Sequence, residues 1–162
     1  KVVSWDDVIG YKQAWNVLAW FATLVTMADG LGKTGFLKWF AEVAATHLQG
    51  MSPTATLLGL TVLFFVSHYM FASVTAHVAA LLPVMLATAM AVPGLDIAKA
   101  SMVLCATLGI MGVITPYGTG PSPIYFGSGY VKSKEFWVLG TIFGVIYLGV
   151  FLAVGFPWIV AR

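Results

Sequence analysis

The chain is 162 residues long, 60% hydrophobic and 9% charged, with a formal net charge of +2 and a mean hydropathy of +0.93. A soluble domain carries about 25% charged residues, so this composition excludes an ordinary water-soluble fold, and the small net charge without any basic run excludes a nucleic-acid partner. What remains is an all-α integral membrane protein with room for about four to six spans of about 20 residues each.

In chain order, residues 1–13 read as an interfacial lead-in, with Trp5, Tyr11 and the following Trp15 suited to an aromatic belt. The sequence starts with Lys1 rather than Met and shows no signal peptide, so we expect a processed product or the C-terminal part of a longer protein. A transmembrane helix is expected at 14–30, ending at Asp29-Gly30. Residues 34–50 place Phe36, Leu37, Phe40, Val43 and Ala44 on one helical face and Lys38 and Glu42 on another, the pattern of an amphipathic interfacial helix.

From Val43 to Leu95 there is no Asp, Glu, Lys or Arg, and only SHYMFASVTAH, Ser67 to His77, interrupts the apolar run. Two half-length helices meeting there would form a re-entrant hairpin over 54–93, its tip at 72–76. Such backbone survives at membrane depth only where it is buried in protein or lines a cavity. Residues 96–131 predict a transmembrane helix broken over 115–121, and 136–160 a full span without a charge. Gly140 and Gly144 form a GxxxG pair suited to a packing face. Lys1, Lys12, Lys132 and Lys134 fall on one side of this scheme and Lys33, Lys38, Lys99 and Arg162 on the other, so the positive-inside rule sets no orientation. The single cysteine, Cys105, cannot form an internal disulfide and reads as a small apolar filler.

The stretch TPYGTGPSPIYFGSGY, Thr115 to Tyr130, breaks its helix for a physical reason. Pro116 and Pro121 lack an N–H, and Gly118 and Gly120 tolerate unusual backbone angles. Pro121 suits the first position of a new half-helix, with Thr119 or Gly120 near the cap. A half-helix N-terminus offers unpaired N–H groups and partial positive charge, which attract an anion without Lys or Arg. Ser73-Val74-Thr75, where the second hairpin arm starts, has the same logic. Two discontinuous elements are the expected pointer to a transport site.

GPSPIYFGSGYVKSKEFW resembles the signature of the divalent anion/sodium symporter family, whose members carry a stretch like ATPPNAIVFGSG. Gly118-Thr119, Pro121, Ile124, Phe126, Gly127, Ser128 and Gly129 fall on its matching positions. FASVTAHVAALLPV, Phe71 to Val84, resembles that family's hairpin motif FTSNTATAALLLPV, and AWNVLAWFATLVTMADGLGKTG resembles the helix before it. The resemblance covers nearly the whole chain and is nearest to the citrate/succinate and tartrate/succinate antiporter and 2-oxoglutarate/malate translocator branches. It implies an elevator-type carrier of di- and tricarboxylates, a homodimer with two inverted repeats, of which this chain would be most of the second. The fragment alone would not transport.

By the same resemblance, Ser73, Val74, Thr75, Gly118, Thr119 and Pro121 are the candidate substrate-binding residues, with His77 and Ser122 as accessory candidates and Ser73, Val74 and Gly118 as candidate sodium ligands. One departure is informative. The family's Ser-Asn-Thr reads Ser73-Val74-Thr75 here, and valine supplies neither an amide oxygen to sodium nor an amide N–H to substrate. That disfavours sodium coupling and favours obligate exchange, although the backbone carbonyls remain.

His68 and His77 flank the tip, and intramembrane ionisable residues are functional candidates by default. His77 could donate to a carboxylate or carry a coupled proton, or pack as a neutral, hydrogen-bonded ring. Neither a zinc site nor a phosphate-binding loop fits the residue spacing. The expectation is thus a non-enzymatic carrier in a bacterial inner membrane, ahead of a plastid inner envelope, without a cofactor unless sodium binds. Its partners are a di- or tricarboxylate, the lipid bilayer and the rest of the transporter chain. The rivals are a sodium symporter, an intramembrane hydrolase using Ser73 and His77, and a non-transporting membrane subunit.

Overall fold

The computed structural model describes residues 2–36, 39, 43, 46, 47 and 50–161. Every regular element among the described residues is helical. Most of the expected amphipathic helix at 34–50 lies outside the described residues.

The lead-in is itself partly helical. Helix α1 (Trp5–Gly10) starts on a capping box in which the Ser4 hydroxyl accepts from the Asp7 N–H and the Asp7 carboxylate accepts from the Ser4 N–H at 2.8 Å. Hydrogen bonds from the Ser4 hydroxyl and N–H hold the Asp7 carboxyl below its usual range. Helix α2 (Lys12–Lys33) follows, starting two residues before and ending three after the expected span.

Helix α3 (Pro53–Ser67) begins at a Ser52 cap with Pro53 in the first turn, where its missing N–H costs nothing. A 3-10 turn, His68–Met70, ends this first arm, and Ser73 caps the second arm, α4 (Val74–Met90). The first arm with its 3-10 turn, Pro53–Met70, is apolar and long enough to cross a membrane by length and composition, whereas the second, Val74–Met90, is a shorter apolar helix. At a rise of about 1.5 Å per residue, α3 and α4 measure about 23 and 26 Å.

The chain then comes back to where the hairpin began. Gly94, in a tight turn at φ 80°, stands so close to the start of α3 that a Cβ on it would lie 3.9 Å from Pro53 Cγ. The Asp96 carboxylate accepts from the Ala98 and Lys99 N–H groups at 2.8 and 3.2 Å and so starts α5 (Ile97–Met111) at that same end.

Helix α5 stops at Met111, earlier than the expected break at Thr115. Pro116 is the cause. Its ring would strike the carbonyl of Gly112 in a continuing helix, and the residue before a proline, Thr115, is disfavoured in helical geometry. The whole preceding turn is therefore lost. Helicity resumes in α6 (Ser122–Gly127), which has Pro121 as its cap rather than as its first residue.

Helix α7 (Ser133–Val150), a π-helical turn (Phe151–Gly155) and α8 (Phe156–Ala161) form one apolar stretch of 29 residues. It begins three residues before the expected span. The π turn lies just before Pro157, which cannot donate to the Ala153 carbonyl, so the preceding turn widens to keep its ring clear. Lys99 Nζ donates to the Val160 carbonyl at 2.7 Å, which brings the C-terminal end of α8 to the start of α5.

The core lies between α3, α4 and α5, where Leu60, Phe64, Leu81, Met85, Val103 and Leu104 are buried. In lipid such clustering gains little from the hydrophobic effect, so close packing and interhelical hydrogen bonds hold it. The GxxxG face of α7 packs most closely against the unwound chain after α5, with Phe65 of α3 next to it. A Cβ on Gly140 would lie 2.8 Å from the Val113 carbonyl oxygen, and one on Gly144 2.5 Å from Ile114 Cγ2.

Candidate functional site

The two interruptions, about forty residues apart in sequence, meet in space. Chain direction explains why. Helices α3 and α5 start at one end of the core, and both run to the other before they break. There the Tyr117 hydroxyl donates to the Tyr69 carbonyl at 3.1 Å, and His68 Nε2 lies 3.0 Å from the Gly118 carbonyl oxygen. Trp137 of α7 closes over this junction, its ring 6.3 Å from Tyr69 and 5.9 Å from Tyr117 between centroids.

At the hairpin tip the Ser73 hydroxyl accepts from the Ala76 N–H at 3.5 Å, which caps α4. Ser73 and Val74 are half-buried and Thr75 is exposed. The side chains at the start of α4 are therefore open, as an anion site at a helix N-terminus requires.

On the other side, Pro116 and Gly118 are buried, Thr119 is half-buried and Gly120 and Pro121 are exposed. The Thr119 and Ser122 hydroxyls pair at 2.6 Å. Gly118 has no room for a side chain: a Cβ there would lie 2.8 Å from Thr115 Oγ1 and 2.9 Å from His68 Nε2. No hydrogen bond joins Ser73 or Thr75 to Thr119 among the described residues; the connection between the two breaks runs through His68 and Tyr69.

His77 faces inward. Its ring is fully buried, with Phe64 at 4.3 Å, Phe71 at 4.7 Å and His68 at 5.1 Å between centroids. Its nitrogens meet Ser67 Oγ at 3.3 Å, His68 Nδ1 at 3.2 Å and Met111 Sδ at 3.2 Å. This orientation removes the geometry for a direct hand on a carboxylate. It also leaves the hydrolase rival without its pair, because the Ser73 hydroxyl and the His77 ring share no hydrogen bond; the two residues are joined only by the His77 N–H donating to the Ser73 carbonyl at 3.0 Å.

Sequence reasoning missed two residues here. His68 was singled out only as intramembrane and ionisable, and its partner Gly118 lies 50 residues away, beyond any local pattern. Thr115 carries a buried hydroxyl with no hydrogen-bond partner among the described residues. The proline that follows it was the only local signal. A cleft of about 650 Å³ lined by Tyr11, Val17, Leu18, Ile124 and Tyr130 lies between α2 and α6 rather than at the breaks.

The model of the sodium:sulfate symporter transmembrane region matches residues 1–161. The chain belongs to the sodium:sulfate symporter family. It is 51% identical over 156 residues to the citrate/succinate antiporter of Escherichia coli K12, covering 96% of this chain. It is 44% identical over 158 residues to the L-tartrate/succinate antiporters of Escherichia coli K12 and Shigella sonnei, covering 98% of this chain. In each case it spans 32% of the relative's length. These relatives are antiporters rather than enzymes. The all-helical architecture, with two helices of membrane-crossing length and composition among the described residues, agrees with a transporter family.

Proposed function

We propose that the protein of which this chain is a part exchanges a di- or tricarboxylate (citrate, tartrate, succinate, malate or 2-oxoglutarate) for a C4-dicarboxylate across a bacterial inner membrane. The observation that carries this reading is the meeting of the two breaks, with the Ser73-Val74-Thr75 tip and the Gly118-Thr119 loop tied through His68 and Tyr69. Thr75 and the N-terminus of α4 would bind one carboxylate group, and Thr119 with Ser122 and Pro121 would contact the substrate from the other side. A helix terminus stabilises an anion by about 0.3–1 kcal/mol when exposed and up to about 2 kcal/mol when partly buried. That strength suits capture followed by release.

On this reading α3 and α4 form a re-entrant hairpin, since the chain returns to the end where it started. The remaining contacts come from a first, inverted repeat on the rest of the chain, and the site moves as a unit in an elevator motion within a homodimer. Sodium-coupled symport is the second reading, and the family's name favours it. Exchange is favoured by Val74, which offers no side-chain oxygen, and by the Gly118 carbonyl, which already accepts from His68.

The test uses the full-length protein in proteoliposomes, with labelled citrate or succinate outside and succinate or buffer inside, in sodium or choline. The expected result is uptake that requires internal dicarboxylate and is indifferent to sodium. Uptake into empty vesicles driven by sodium would replace exchange with symport, and no uptake of any carboxylate would sink the carrier reading.

A further inference from the structure

We propose that His68 is a positioning residue of the carboxylate site. Its imidazole, set in one tautomer by the Gly118 carbonyl and faced by His77, clamps that carbonyl and thereby fixes the Gly118-Thr119 backbone against the hairpin tip. The proposal rests on the carrier reading above and adds to it a residue that never touches substrate.

The hydrogen bonds to Gly118 and between the two rings assign the His68 tautomer. A carbonyl oxygen can only accept, so His68 Nε2, 3.0 Å from the Gly118 oxygen, carries the hydrogen. A neutral imidazole has one N–H, so His68 Nδ1 accepts. The atom facing it at 3.2 Å, His77 Nδ1, must therefore donate. His77 Nε2 then carries no hydrogen, and the Ser67 hydroxyl 3.3 Å away gives its own hydrogen to the Phe64 carbonyl at 2.8 Å. The result is a directional chain, His77 to His68 to Gly118, in which no ring needs a charge. Ser67, His68, His77 and Gly118 are all buried, where a misdirected donor or acceptor is costly.

Packing holds the chain in line. Phe64 and Phe71 lie against the His77 ring, and the His68 ring is near-parallel to it with an interplanar angle of 27°. Gly118 is the only residue type that lets the imidazole approach this closely. Meanwhile the loop around Gly118 has little holding of its own. Its backbone hydrogen bonds are long, Gly118 N–H to Thr115 O at 3.4 Å and Ser122 N–H to Thr119 O at 3.2 Å. Two neighbouring residues of the loop, Tyr117 and Gly118, are instead held by two neighbouring residues of the hairpin, Tyr69 and His68. Thr119, the proposed substrate contact, comes next in the chain.

Two measurements on the full-length protein test this. In exchange assays with labelled citrate against internal succinate, His68→Leu should raise KM about tenfold, the worth of one hydrogen bond, with the maximal rate changed less than about threefold. His68→Gln places an amide N–H near the position of Nε2 and should restore most of the affinity. If His68→Gln is as impaired as His68→Leu, or if neither changes KM, the clamp is wrong and His68 only fills space. The second measurement needs no variant. Nitrogen NMR of protein labelled at histidine should show His68 protonated at Nε2 and His77 at Nδ1, and finding both rings protonated at Nε2 would overturn the proposal. If the protein exchanges no carboxylate, the carrier reading falls, while the histidine spectrum still decides whether the clamp exists.

Discussion

At the hairpin tip the chain leaves helical geometry for only three residues, 71–73, and Ser73 restarts it with its own hydroxyl. Between α5 and α6 it leaves for ten, 112–121, and its polar groups are mostly turned inward: the Gly118 carbonyl toward His68, Thr115 Oγ1 into the core and Thr119 Oγ1 onto Ser122. Both expose a helix start, yet only the first does so cheaply, because a serine cap costs one residue whereas two prolines and three glycines undo several turns. The difference teaches that the two halves of the proposed site should respond differently to substitution. On the proposed reading the loop is a structural joint that would also face substrate. The tip would be a binding surface at the start of a helix capped by Ser73.

The sharpest way to break this contrast is Gly118→Ala. The added methyl would meet Thr115 Oγ1 and His68 Nε2, both wedged in a buried layer. Overpacking of this kind costs about 1–3 kcal/mol, so the full-length protein in detergent should lose thermal stability along with exchange activity. Unchanged stability would mean that the loop yields freely and is no joint.

Thr115→Val comes next in size and has the opposite sign. A buried hydroxyl with no partner carries its full desolvation cost, and replacing it with a methyl of similar shape should stabilise the protein by about 1 kcal/mol. Thermal melting checks this. A loss of stability or of substrate affinity would show instead that the hydroxyl has a ligand in the complete protein.

How much of this was legible beforehand follows from how local each signal is. Prolines, glycines and capping hydroxyls act on their own turn, so the restart at Ser73 and a break around Gly118 could be read from the residues alone. The start of the break was misjudged because a proline reaches back four residues to Gly112, not to its immediate neighbour. The partner of the Gly140/Gly144 face could not be read at all: a small-residue stripe says that something approaches closely, not that it is the unwound backbone of Val113 and Ile114. The inward turn of His77 was equally hidden, since it depends on Phe64, Phe71 and Met111, which come from three separate segments.

The smallest effect on stability is expected at Thr75, and that makes it the cleanest probe of the tip. Its side chain is exposed and makes no hydrogen bond among the described residues. Surface substitutions free of such contacts stay within about 0.5 kcal/mol, so Thr75→Ala should melt like the parent. If the tip is a binding surface, the same variant should still lose about three- to tenfold in substrate affinity, because a hydroxyl donor to a carboxylate is removed. Parental melting with lost affinity would separate tip from loop as the structure divides them. Parental melting with parental affinity would move the substrate away from Thr75 and leave the loop as the only contact this chain contributes.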